Sequence, residues 1–368
     1  MSKHIAIIGS GQLARMMALD GIPMGQRFSF VAEEKEDAVC VDGLGKIVRR
    51  TENMDVAALY EALGKPDVIT VEKEHVDIPL LTALGKHCPV HPNPNALEKF
   101  KNRRVEKRFL QSLDIPIAPF NEVRNEEDFH SAVRSLEKPI FLKTEEEGYD
   151  GYNQFKITDE NQAQVVGELD FPGHWVAEQG IPFEREISFI AVRSWKGEIV
   201  FYPGSENYHN QGTLLTSLSP APKLPDNISA RARDYLTRML EALDYVGVMC
   251  MECFLWGDQL LVNEIAPRVH NSGHWTSKGA MTSQFENHVR AVAELPLGST
   301  ETHGVSAMLN LLGVTVDAAE VSDATTFLTM YGKSVRPRRK LGHITAISND
   351  YDKAKEKLKV LEKIAYDK

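Results

Sequence analysis

The chain opens on a short β-branched apolar run, residues 4–9 (HIAIIG), that stops at Gly9-Ser10-Gly11. A helix-like stretch from Gln12 to Leu19 follows, then a strand-like run from Arg27 to Val31. Strand, glycine turn, helix and strand in that order predict a parallel α/β unit. Asp67 to Val71 (DVITV) reads as a later strand of the same sheet, running out at Glu72 and Glu74. Ligands of open α/β sheets sit beyond the carboxyl ends of strands, so Gly9–Gln12 and Glu72–Glu74 are expected to face one crevice. The first unit closes near the Pro-rich stretch His91-Pro92-Asn93-Pro94.

From Asn95 the pattern predicts one helix carrying Leu97, Phe100, Val105, Phe109 and Leu113, ended by Asp114-Ile115-Pro116. Residues 139–143 (PIFLK) are strand-like, and an acidic, glycine-bearing loop (EEEGYDGYN) leads into Gln154–Ile157, a hairpin with a long tip. Further strands are expected at Val176–Gln179, Glu186–Arg193 and Glu198–Tyr202. Ala232, Tyr235, Leu236, Met239, Leu240 and Leu243 recur at helical spacing and predict an amphipathic helix over 228–243. After Pro296-Leu297-Gly298 the pattern changes to a small C-terminal unit with a basic run, Arg336-Pro337-Arg338-Arg339-Lys340.

The 368 residues suit two to three domains, and 42% hydrophobic with 26% charged residues excludes a disordered, collagen-like or coiled-coil chain. Lys+Arg 42 against Asp+Glu 52 gives a net charge of −10, which argues against nucleic acid as a partner. No apolar run approaches the length of a signal segment or a membrane span, so no membrane partner is expected. Four cysteines (Cys40, Cys88, Cys250, Cys253) are too sparse for a disulfide framework, and a cytoplasmic location is expected.

The segment 246–268, VGVMCMECFLWGDQLLVNEIAPR, holds the most chemistry. Two apolar strands flank Gly257-Asp258, a hairpin signal. A turn centred on Asp258 pairs Glu252 with Glu264 and puts both carboxylates on one face, β-carbons ~5 Å apart. Two such carboxylates repel unless something positive lies between them, and Mg²⁺ carrying nucleotide phosphates suits them. A protonated pair, or one neutralised by Arg268, is the other reading. Asn263 points to the opposite face unless a bulge brings it in.

Lys99, Lys101, Arg103, Arg104, Lys107 and Arg108 crowd one helix, where Arg103 and Lys107 are like charges one turn apart. A bound polyphosphate reverses that repulsion; a solvated face is the alternative. Lys143, at the end of an apolar strand before the loop, suits a lysine reaching a triphosphate as the loop closes. Glu178 and Glu186 fit a ribose acceptor or an exposed strand end equally well. Gly9-Ser10-Gly11-Gln12-Leu13-Ala14 matches a dinucleotide fingerprint, with Glu33 and Glu34 about 20 residues on, yet any anion can use such amides. Cys250 and Cys253, an odd number apart on a strand, should face opposite cores rather than bind zinc. His270-Asn271-Ser272-Gly273-His274 reads as a loop that contacts substrate.

In chain order these pieces resemble the ATP-grasp ligases, and among them the biotin-independent carboxylating family that acts on 5-aminoimidazole ribonucleotide in purine synthesis. The resemblance runs through Gly9-Ser10-Gly11-Gln12-Leu13, Gly148-Tyr149-Asp150-Gly151 and Phe201-Tyr202-Pro203. It continues through Asn263-Glu264-Ile265-Ala266-Pro267-Arg268, His270–Trp275 and Tyr331-Gly332-Lys333 to Arg339-Lys340-Leu341-Gly342-His343. It implies a mixed α/β and α+β chain: a Rossmann-like pre-ATP-grasp domain over 1–95, an ATP-grasp domain over 96–297 with a mobile lid at about 114–178, and a small C-terminal domain over 298–368. It also implies ATP, two Mg²⁺ ions, bicarbonate as co-substrate, and a homodimer.

Residue by residue, the resemblance makes Glu252 and Glu264 the metal ligands. It makes Arg103, Lys107, Lys143, Gln154, Glu178, Gln179, Glu186, Asn263 and Glu264 nucleotide contacts. Tyr149, Asp150, Arg268, His270, Asn271 and Lys340 become catalytic groups; Gly11, Gln12, Leu13, Glu72, Lys333, Arg339 and Lys340 become contacts to the ribonucleotide. A related enzyme with another acyl donor, and a nucleotide-binding regulatory paralogue, are the alternative readings. The family usually reads Arg-x-Gly-Gly-Tyr-Asp-Gly-Lys-Gly-Gln across the lid, where this chain has Glu145 to Gln154 (EEEGYDGYNQ). Three carboxylates there are expected to repel phosphate. Leu215 stands where the family often has Arg, and Arg338 where it has Gly.

Overall fold

The structure is a computed structural model that describes residues 2–51, 53–146, 154–169, 171 and 174–367. Strands β1 (His4–Ile8), β2 (Arg27–Glu33), β3 (Lys46–Arg50) and β4 (Val68–Val71) form the expected parallel sheet, in the order β3-β2-β1-β4. Gly9 follows β1 with φ +129, and a β-carbon there would lie 2.3 Å from Glu72 Cγ. That space is needed because the buried Glu72 carboxylate accepts hydrogen bonds from the Gly11 and Ala14 amides, the latter at 2.9 Å. The helix Gln12–Gly21 is therefore capped by the chain's own carboxylate, and the glycine fingerprint needs no dinucleotide.

The single helix expected from Asn95 is two, Pro94–Lys101 and Arg103–Ser112. Asn102 is extended (φ −122, ψ 120), and its side chain accepts a hydrogen bond from the Val105 amide at 3.2 Å. Asparagine is among the best N-caps, so a new helix starts there and Arg103 falls in its first turn.

A second sheet, antiparallel and ordered β5-β8-β6-β7, comprises β5 (Phe120–Val123), β6 (Ile140–Thr144), β7 (Gln154–Ile157) and β8 (Trp175–Gln179). β6 and β7 make the expected hairpin; Tyr149 and Asp150 at its tip lie outside the described residues.

The third sheet has nine strands: β9 (Arg185–Arg193), β10 (Ile199–Phe201), β11 (Ser205–Asn210), β12 (Thr213–Ser219), β13 (Gly247–Trp256), β14 (Gln259–Ala266), β15 (Val305–Leu312), β16 (Thr326–Met330) and β17 (Lys340–Ser348). Their order is β14-β13-β9-β11-β12-β15-β17-β16, with β10 on the far part of β9. The pairing of β12 with β15 makes the C-terminal strands an extension of this sheet. The helix Asp226–Ala242 buries Ala232, Tyr235, Leu236, Met239 and Leu240 against one face. Cys253 packs in that core, and Cys250 in the core on the other face, beneath the first sheet. Among the described residues no helix is long and apolar enough to cross a membrane.

Candidate functional site

The β13–β14 hairpin sets the centre of the site. Its turn is Gly257-Asp258, with Trp256 opposite Gln259, so it is not centred on Asp258, and an unbroken register would put Glu252 opposite Asn263. A bulge corrects this: Cys253 pairs with Val262, Glu252 pairs with Glu264, and Asn263 is the extra residue. Bulges re-aim side chains near sites. Here the bulge turns Asn263 and Glu264 into the same cleft as Glu252.

That cleft, about 540 Å³, lies between the second sheet and β9, β11, β13 and β14. One part of its lining is apolar: Phe141 lies there with Phe183 and Phe254, whose rings stack at 4.5 Å and 8°. The rest is polar, lined by Arg103, Lys143, Gln154, Glu178, Gln179 and Glu186. The buried Glu178 carboxylate accepts from Lys107 at 3.0 Å and Lys143 at 3.3 Å. Burial alone would raise Glu178, but the Lys107 and Lys143 ammonium groups hold it at about 2. Lys107 is itself buried against Glu178, and it lines a small pocket that shares Arg103, Lys143, Glu178, Asn263 and Glu264 with the cleft.

A smaller chamber of about 260 Å³ adjoins the cleft, lined by Glu74, Arg268, His270, Asn271 and Lys340. Glu252, Glu264, His209 and Gly212 line both spaces. The Arg268 guanidinium pairs with Glu74, through Nη2 at 3.0 Å and through Nε, rather than with the Glu252–Glu264 pair. Burial works against ionisation of Glu74, yet Arg268 holds it at about 2. Burial, with Glu264 and Glu186 adding repulsion, pushes Glu252 up to about 7 against the pull of His209. Burial and then Arg268 drive His270 well below the usual imidazole range. Its Nδ1 lies 2.9 Å from Ser272 Oγ and 3.3 Å from the Ser272 amide, and its Nε2 lies 3.4 Å from Glu252. Asn271 exchanges amide hydrogen bonds with Asn310 at 2.8 and 3.0 Å.

Across the chain, Lys333 donates to Gln12 Oε1, joining the C-terminal unit to the first glycine turn beside Gly11 and the buried Leu13. Arg339 bonds Ser334 and lies 3.6 Å from Asp37. Of the C-terminal basic run, Lys340 lines the smaller chamber with Glu252 and Glu264 of the hairpin and with Arg268, His270 and Asn271 after it.

Three groups escaped the sequence reading. His209 Nδ1 lies 2.8 Å from Glu186 Oε2 on the shared wall. Glu106 accepts from the Ile265 amide at 3.1 Å and is pushed up to about 8 by burial and then by Glu264. The Phe183–Phe254 stack is the third. The alternation of β11 (SENYHN) is a signal that could have marked His209, since period two places it with Asn207.

Three family models match in succession: a ribonucleotide synthetase preATP-grasp domain over 1–101, an ATP-grasp domain over 108–285, and a phosphoribosylaminoimidazole carboxylase C-terminal domain over 306–357. The chain is 41% identical over 344 residues to the N5-carboxyaminoimidazole ribonucleotide synthase of Pseudomonas aeruginosa, covering 93% of each. The crystal structure of the N5-carboxyaminoimidazole ribonucleotide synthetase of Thermus thermophilus is similar at a TM-score of 0.92 and 41% identity, covering 98% of each chain. That of the Aspergillus clavatus enzyme in complex with ADP and 5-aminoimidazole ribonucleotide is similar at 0.88 and 25% identity, covering 99% of this chain and 98% of that one.

Proposed function

The chain belongs to the N5-carboxyaminoimidazole ribonucleotide synthase family of ATP-grasp ligases, and from that membership we propose that its two joined chambers divide one reaction. ATP, bicarbonate and 5-aminoimidazole ribonucleotide are converted to the N5-carboxylated ribonucleotide, ADP and phosphate. The adenine lies at the apolar part of the cleft beside Glu178 and Gln179, the ribose at Glu186, and the phosphates toward Arg103, Lys143, Gln154 and Asn263. Lys107 serves them by fixing Glu178.

Two Mg²⁺ ions fit Glu252 and Glu264. The pair is short of positive charge, as the raised Glu252 records, and offers the hard oxygen donors magnesium takes. Among the described residues no three His, Cys, Asp or Glu side chains converge to hold a metal alone, so phosphate and water would complete the coordination. Bound there, magnesium would withdraw charge from the phosphoryl oxygens.

Phosphoryl transfer is mainly positioning and charge neutralisation. A bicarbonate oxygen attacks the γ-phosphorus, the bond to the β-phosphate oxygen breaks, and carboxyphosphate and ADP result. Arg268, His270, Asn271 and Lys340 hold that acid in the smaller chamber. The exocyclic amine of the ribonucleotide takes the carboxyl carbon, losing a proton as phosphate leaves. Gly11, Gln12, Leu13 and Glu72 seat the ribonucleotide, and Lys333 and Arg339 grip its 5′-phosphate with Lys340 nearby; the family resemblance makes Tyr149 and Asp150 catalytic groups.

The observation that carries this reading is the Glu252–Glu264 pair on the wall common to both chambers. Labelled bicarbonate tests it. Label should enter the product one for one with phosphate released, and both should require the ribonucleotide. Incorporation of labelled formate, or phosphate release indifferent to the ribonucleotide, would overturn it. The division proposed is 1–95, 96–297 with a lid at about 114–178, and 298–368; the order of the three matched models, over 1–101, 108–285 and 306–357, is what supports three units. The family resemblance supports a homodimer, and four free, buried cysteines fit a reducing cytoplasm.

A further inference from the structure

Glu145 stands where the family has arginine, at the base of the lid loop, and an acidic residue there would be expected to repel a triphosphate. Its carboxylate is instead buried and turned away from the cleft. It accepts from Asn102 Nδ2 at 3.0 Å, Arg104 Nε at 3.1 Å and Arg124 Nη2 at 2.5 Å. Arg124 also meets His174, and Glu122 bridges Arg104, Arg108 and Arg124, so the cage joins β5, the helix Arg103–Ser112 and the loop base.

The same residue fixes a nucleotide contact through its backbone. The Glu145 carbonyl accepts from the Arg103 amide at 2.8 Å, and the neighbouring Thr144 carbonyl accepts from the Arg103 guanidinium at 3.0 Å. The Glu145 amide in turn donates to the His174 carbonyl at 2.9 Å. Arg103 lines the polar part of the cleft, with Lys143 and Asn263.

We propose that Glu145 is a positioning residue: its side chain latches the lid base into the Asn102–Arg104–Arg124 cage, and so holds Arg103 where the nucleotide phosphates are bound. This rests on the nucleotide reading of the cleft. The replacement of arginine by Glu145 is then no loss of a phosphate contact but a second way of fixing the loop base. Charge-assisted hydrogen bonds of this kind are shorter and stronger than neutral ones.

The test is steady-state kinetics of Glu145→Ala, Glu145→Gln and Glu145→Asp, with ADP binding by calorimetry on the same proteins. The Ala and Gln variants should raise the KM for ATP about tenfold while kcat stays within about twofold, as loss of a charge-assisted contact predicts. Asp should recover part of that loss. The exchange Glu145→Arg with Arg124→Glu should bring KM back toward wild type where Glu145→Arg alone does not. A wild-type KM in Glu145→Gln, or a fall in kcat equal to the rise in KM, overturns the latch. Failure of the wild-type protein to bind ADP would instead overturn the nucleotide reading beneath it. If Glu145→Ala does not fold, Glu145→Gln and the exchange decide the matter.

Discussion

Replacing Lys107 by methionine keeps the stem of a side chain that is 2% exposed and removes its charge from Glu178, 3.0 Å away. Two routes give the cost. A carboxyl held at about 2 rather than 4.5 favours the folded state by about 3 kcal/mol above both values. Breaking a buried ion pair on one side costs about 3–5 kcal/mol. The routes agree, and Lys143 at 3.3 Å keeps the loss toward the lower figure. Urea unfolding at neutral pH should show Lys107→Met less stable by about 3 kcal/mol, with Glu178→Gln in the same chain recovering much of it. The sign with pH is fixed: Glu178 has a depressed value, so its contribution is full above 4.5 and lost as pH falls from there toward 2. The gap between wild type and Lys107→Met should therefore narrow in acid. A loss under about 1 kcal/mol, the worth of a surface pair, or no recovery in the double variant, would refute the reasoning.

Three further outcomes follow from other parts of the molecule. Arg339→Ala should raise the KM for the ribonucleotide more than that for ATP, since Arg339 lies with Lys333 and Gln12 beyond the nucleotide cleft; equal KM values in wild type and variant would remove it from the phosphate site. Phe254→Ala breaks the stack with Phe183 at the apolar part of the cleft and should weaken ADP binding about tenfold in calorimetry, a figure consistent with ~0.5–1.5 kcal/mol for an aromatic pair plus lost burial. His288 bridges the first and third sheets, its Nε2 on Thr70 at 2.8 Å and its Nδ1 accepting from the Val248 amide at 3.1 Å, and burial holds it at about 3. Its value is lowered from 6.5, so stability from the neutral ring should be complete above 6.5 and fall with pH below it; melting curves of His288→Gln should lose that part of the slope.

The parallel first sheet, the β6–β7 hairpin and the apolar stripe over 228–243 were legible because their periods are regular and their glycines and prolines punctuate them. The Glu252–Glu264 pairing was legible too, though by two offsetting departures: the turn is centred between Gly257 and Asp258, which shifts the register by one residue, and the bulge at Asn263 restores it. Nothing local announces a bulge in NEIA. The helix break at Asn102 was missed because the apolar spacing continues across it, while the capping side chain decides the backbone. Pairings such as Arg268 with Glu74 and Lys107 with Glu178 depend on burial and on residues 194 and 71 positions apart, which period and spacing do not encode. The same holds for Glu145, whose charge looks hostile to phosphate until three neighbours are seen around it.

Glu264→Gln, assayed for ribonucleotide-dependent phosphate release over a magnesium titration, probes the shared wall of the two chambers most directly. Turnover should fall by at least about a hundredfold, at the scale of losing one preorganised transition-state contact, with unfolding stability intact and no recovery at high magnesium. An unchanged rate with an unchanged magnesium requirement would contradict the assignment of that carboxylate pair.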